Sequence, residues 1–145
     1  TSELASFSQN LDKLSFVNHK NNKKIKVQVI TLDTFFEEFH TTYAEKEIDL
    51  LKIDTEGFEL EVLRGAPNTL INKIPKFIQI EYNWHQLFKS QTIYNFSEIL
   101  PNYEVFQILP FGNNLVKIDP SRPESNIFHL SNFVFIRKDI SKEYE

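Results

Sequence analysis

The chain has 145 residues, a length that suits one domain with a sizeable core and is short for two. Sixteen Lys and Arg against 20 Asp and Glu leave a net charge of -4, which speaks against a general nucleic-acid or anionic-membrane surface. The absence of Cys excludes disulfides, thiolate zinc sites and cysteine nucleophiles together, and no apolar run approaches the ~18 residues of a membrane span.

A soluble, cytoplasmic protein with a single domain over residues 1–145 is therefore expected, with no charged-then-apolar leader at its start. Met is also absent, so the chain opens at Thr1. That fits removal of an initiator before a small residue, and it fits a piece of something longer.

Thr1 to Asn18 mixes Ser, Leu and Phe without clean periodicity, and predicts at most a short helix around Leu4 to Leu14. The one basic cluster, His19 to Lys24, is rich in Asn and reads as a solvated loop. Ile25, Val27, Val29 and Thr31 alternate as in a strand with one polar face. Thr31-Leu32-Asp33 then starts a helix, with Asp33 or Thr31 as cap and Leu32, Phe35, Phe36 and Phe39 as its apolar stripe, ending near His40 to Tyr43.

Ile48, Leu50, Leu51 and Ile53 form an almost continuous apolar run, the pattern of a strand buried on both faces of a parallel sheet. Asp54, Thr55, Glu56 and Gly57 make an acidic elbow, and Phe58, Leu60, Val62, Leu63 and Ala66 follow at helical spacing, with Gly65 closing the turn. Pro67 opens a short helical turn holding Leu70 and Ile71, and Pro75 ends it. Phe77, Ile78, Ile80 and Tyr82 predict a second buried strand, parallel to the first because a helix separates them.

Trp84 to Leu100 reads as helical at least in its second half, where Ile93, Phe96, Ile99 and Leu100 share a face before Pro101. Asn95-Phe96-Ser97 fits a glycosylation acceptor, taken as chance without a secretion signal. A third strand runs from Tyr103 to Leu109, Pro110 to Asn114 is turn chemistry, and Leu115 to Ile118 returns as a short strand. After a loop marked by Pro120 and Pro123, Phe133 to Ile136 form the last strand, and Lys138 to Glu145 is a charged tail. No internal repeat is present.

Thr31-Leu32-Asp33, the run Ile48-Asp49-Leu50-Leu51-Lys52-Ile53-Asp54-Thr55-Glu56-Gly57-Phe58-Glu59, and Leu63-Arg64-Gly65-Ala66 together resemble the signature of the FkbM-type S-adenosylmethionine-dependent methyltransferases. The resemblance extends through Phe77 to Tyr82 to the closing Asn132 to Arg137 strand. It implies an α/β fold with a Rossmann-like methyltransferase sheet, mostly parallel with an antiparallel last strand. In that scheme Ile48 to Asp54 is the fourth strand, Phe77 to Tyr82 the fifth, and the later segments the sixth and seventh. The first three strands, with the Gly-rich donor loop, are then missing, and the chain is the carboxyl-terminal part of the domain. Gly57, Gly65 and Gly112 are the only glycines, and no two are close enough for a Gly-x-Gly loop. The implied partners are a small-molecule or glycan hydroxyl acceptor and the missing half of the domain, with S-adenosylmethionine as cofactor and no nucleic acid or membrane.

Asp54 ends a buried strand and, by the resemblance, faces the methyl-transfer crevice. It either takes or orients the acceptor's hydroxyl proton, or it caps the next helix. Glu56, a candidate substrate contact, and Glu59 fall three apart in the first helical turn, where the helix dipole is enough to account for both without a further role. Asp54 with Glu56 offers hard oxygens, yet two carboxylates are too few to assign a metal. Lys52 shares a face with Asp54 and is expected to pair structurally, with Glu56 or Glu81 as partner. Glu81, Asn83 and Trp84 leave the next strand on the same side as substrate contacts, Trp84 by stacking on a sugar or by covering the core. His85 is the candidate base, with a surface or packing role as the alternative, and Gly57 is structural.

A non-catalytic binding or structural fragment without donor binding is the competing reading. A hydrolase or divalent-metal enzyme on Asp54 and Glu56 lacks a nucleophile motif.

Overall fold

Thr31 is extended and its hydroxyl accepts the Thr34 N–H at 3.0 Å, so helix α1 starts at Leu32 and runs to Glu38. Strand β1 (Leu50–Ile53) is followed by the elbow and two short helices, α2 (Glu59–Arg64) and α3 (Pro67–Asn72). This crossover returns the chain to strand β2 (Phe77–Tyr82), which pairs in parallel with β1 and sets Ile53 beside Ile80. Helices α4 (Trp84–Lys89) and α5 (Ile93–Ile99) lead to β3 (Tyr103–Ile108), a hairpin strand β4 (Leu115–Lys117), a 3₁₀ turn (Pro123–Asn126), β5 (Ser131–Arg137) and a final 3₁₀ turn (Ser141–Tyr144). The computed structural model describes residues 25–39, 47–72, 74–110 and 114–145.

The five strands among the described residues lie in the order β1-β2-β5-β3-β4. Among the described residues only β1–β2 is a parallel pairing, whereas β2–β5, β5–β3 and β3–β4 are antiparallel. The expectation of a mostly parallel sheet is corrected accordingly. The cause is β5, which inserts between β2 and β3 and runs against both, so two strands of like sense never touch there. The antiparallel last strand is as expected.

The alternation on β2 puts Ile78, Ile80 and Tyr82 on one face, and register brings Phe133 and Phe135 of β5 opposite Ile80 and Ile78. Leu60 and Leu63 of α2 and Ile93 and Phe96 of α5 close over them to form the main core. Each fully buried aliphatic or aromatic side chain here contributes roughly 1.5–3 kcal/mol. A smaller cluster of Phe106, Val134 and Ile136 lies on the other face, with Phe77 and Ile140 packed against it.

Three further expectations are revised. Ile25 to Ile30 form no strand: Ile25 is 71% and Val29 70% exposed, because alternation fixes which way side chains face but supplies no ladder partner. β1 is not buried on both faces, since it is a sheet edge among the described residues; Leu50 is exposed and only Ile53 is buried. Helix α1 ends at Glu38, capped by Phe39. Trp84 to Leu100 is helical in its second half as expected, and its first half is a separate helix, the two parted where Ser90 turns left-handed at φ 52°. The short helix near Leu4 to Leu14, the basic cluster from His19, the stretch His40 to Tyr43 and the turn residues Phe111 to Asn113 lie outside the described residues.

Candidate active site

The parallel pair β1–β2 ends with both carboxyl termini on one edge, and each strand delivers an acid there, Asp54 after β1 and Glu81 near the end of β2. Between β1 and α2 the backbone takes two left-handed steps, Glu56 at φ 53° and Gly57 at φ 101°. The second is glycine for two reasons. A side chain there is strained, and a Cβ would stand 2.7 Å from His85 Cβ. This bend takes Glu56 off the helix, so Glu56 and Glu59 do not share a helical face as their spacing predicts. Phe58, rather than Asp54, occupies the N-cap position of α2.

Glu59 holds the bend in shape. Its fully buried carboxylate accepts from Thr55 N at 2.9 Å, Thr55 Oγ1 at 3.1 Å, Gly57 N at 3.1 Å and Gln86 Nε2 at 2.6 Å. The elbow is thereby tied to α4. Asn83 caps α4 by accepting the His85 N–H at 2.8 Å, while Gln86 Oε1 accepts the Asn83 N–H in return. The Asn83 amide donates to Glu81 at 3.1 Å and to Glu56 at 3.4 Å, bridging the two strand ends.

Asp54, Glu56 and Glu81 bring carboxylate oxygens within 4.8 Å of one another. Burial, followed by the charges of Asp54 and Glu56, pushes the Glu81 carboxyl up from the ordinary range. Lys52 shares the sheet face of Asp54 and pairs with it at 2.8 Å, both side chains being well exposed. The expected partners Glu56 and Glu81 are not its ion pair; at an open edge the lysine reaches the nearest carboxylate two residues on.

His85 is buried. Its Nε2 lies 3.0 Å from Glu56 and its Nδ1 has no hydrogen-bond partner among the described residues. Burial pushes the imidazole down from its ordinary value, against the pull of the Glu59 charge. Trp84 stacks on this ring at 3.5 Å between centroids, with Phe88 at its edge. The structure therefore brings Asp54, Glu56, Glu81 and Asn83 together and sets His85 and Trp84 behind them. Glu59 and Gln86 escaped the sequence reading as functional residues, since their contact spans 27 positions.

The family motifs flanking the elbow also meet one another. Asp33 accepts from Asn68 N at 2.9 Å, Thr69 N at 2.8 Å and Thr69 Oγ1 at 2.7 Å, capping α3, and Thr31 lies against Gly65. The family model described as the methyltransferase FkbM domain matches residues 1–111. The chain belongs to the FkbM methyltransferase family. No curated protein and no solved structure matches it. The FkbM match covers the elbow, β2 and β3, while β4 and β5 lie beyond it. Among the described residues no helix is long and apolar enough to cross a membrane.

Proposed function

We propose that the elbow and the end of β2 form the acceptor wall of a methyl-transfer site, in a cytoplasmic enzyme that uses S-adenosylmethionine as donor and methylates a hydroxyl of a sugar, glycan or similar small molecule. The observation that carries this is the meeting of the FkbM motif acids Asp54 and Glu56 with Glu81 at the carboxyl ends of two parallel strands, where α/β sheets hold their ligands. The sheet supports it too: β1, β2 and β3 share one sense and β5 enters between β2 and β3 against them, which suits the second half of a Rossmann-like methyltransferase sheet.

A nucleoside donor needs a glycine-rich turn and an acid for its ribose. The described glycines, Gly57 and Gly65, are each backed by a side chain of the protein itself, His85 and Thr31, and leave no cradle for a ligand. The described residues thus offer the donor no such turn, which supports reading them as the acceptor side. Asp54, exposed and steadied by Lys52, accepts the hydrogen bond of an incoming hydroxyl and takes its proton as the oxygen becomes the nucleophile. Glu81, whose carboxyl is pushed up by burial and by the charges of Asp54 and Glu56, and which accepts from Asn83, lines the same wall as a polar contact for the acceptor. His85 acts through Glu56 and not on the acceptor.

The test is Asp54→Asn in a methyl-transfer-competent protein carrying this segment, with labelled donor and a panel of monosaccharides and polyols. Turnover is expected to fall by roughly 10²-fold or more, as for loss of a general base, with donor affinity nearly unchanged. An equal loss of both, or no O-methyl product from any wild-type reaction, overturns the reading.

A further inference from the structure

The sealed environment of His85 has a consequence beyond catalysis. Its side chain is 4% exposed, wedged between Gly57, whose missing Cβ makes room for it, and the indole of Trp84. One nitrogen, Nε2, meets Glu56 at 3.0 Å; the other, Nδ1, is buried with no partner among the described residues. A neutral imidazole carrying its proton on Nε2 satisfies this arrangement, because Nδ1 is then a bare lone pair. A protonated ring adds a buried N–H with no acceptor.

We propose that His85 and Glu56 form a proton-operated latch on the acidic elbow: the neutral ring holds Glu56 against α4, and protonation expels the ring and frees Glu56 toward the crevice. The groups facing the ring are few. Glu56 from the elbow and Glu59 from α2 favour the cation, and Asn83 links Glu56 to Glu81. Lys89, one turn further along α4, is turned to Glu61 at 3.0 Å and to the Phe58 ring. Burial outweighs the Glu59 charge, so the ring's folded value lies below the ordinary 6.5. For a group depressed in this way, the stabilisation is present above 6.5 and is lost as the pH falls through the folded value. Glu56 and Gly57, both left-handed, form the hinge that the latch restrains.

The latch bears on regulation of the site proposed above, but its test does not depend on methyl transfer. Trp84 is the only tryptophan and lies on the ring, so its fluorescence reports the proton directly. In the full chain, Trp84 emission and the Glu56 and Gly57 amide resonances should change together, with one midpoint below pH 6.5. His85→Gln keeps an N–H donor at the Nε2 position and cannot protonate, so those coupled changes should vanish. The ring ¹⁵N spectrum of the wild type at pH 7 should show the neutral form with its proton on Nε2, a readout that stands even if the variant does not fold. A proton on Nδ1, a midpoint at or above the ordinary histidine value, or elbow amides that ignore the ring's titration overturns the latch.

Discussion

Glu59, a carboxylate with no exposed surface, accepts from Thr55, Gly57 and Gln86 and ties the elbow to α4. Glu59→Gln offers those donors one oxygen in place of two and turns an amide toward the rest. Leaving a buried backbone donor unpaired costs about 1–3 kcal/mol. Urea unfolding should therefore show a loss within that range, and an unchanged midpoint would mean that Glu59 does not organise the bend. At this scale Asp54, Glu56, Glu81 and Asn83 were legible as acids and amides flanking strand ends. Glu59 read only as a helix-dipole carboxylate, because its partner Gln86 sits on another element and sequence spacing carries no trace of that contact.

Thr31 and Asp33 show one motif serving two elements. Thr31 caps its own helix α1, and Asp33 reaches across to the first backbone N–H groups of α3, 35 and 36 residues away. Partial burial opposes its ionisation, but the bonds from Thr69 and Asn68 hold its carboxyl below the ordinary 3.8. The benefit of a depressed acid is present above its ordinary value and is lost as the pH falls below it. Asp33→Ala should cost ~0.5–1 kcal/mol, the lower part of the range for a lost cap, since the group is largely open to solvent. That difference between wild type and variant should shrink as thermal unfolding is repeated from pH 7 down through the folded value, which lies below 3.8. The cap on α1, the helix after the elbow and the buried strand β2 were all legible, because capping chemistry and periodicity are local. Ile25 to Ile30 misled, having the alternation of a strand without a neighbour to complete it.

Among the described residues the molecule is built on a sheet whose motif-bearing strand, β1, lies at an edge. The order β1-β2-β5-β3-β4 was not legible in pattern alone, because β5 leaves no mark in the sequence of its insertion between β2 and β3. The family resemblance implied an antiparallel last strand, which strand pairing alone could place. The edge of β1, open among the described residues and with Leu50 exposed, is a surface that invites another strand. On the proposed reading, the acids form the acceptor wall, and a bend filled by His85 gives the donor's nucleoside no turn to sit on among the described residues. Isothermal titration of this chain with S-adenosylmethionine tests that division of labour most directly. Heats no larger than dilution across the titration are predicted, and saturable one-to-one binding would contradict the account.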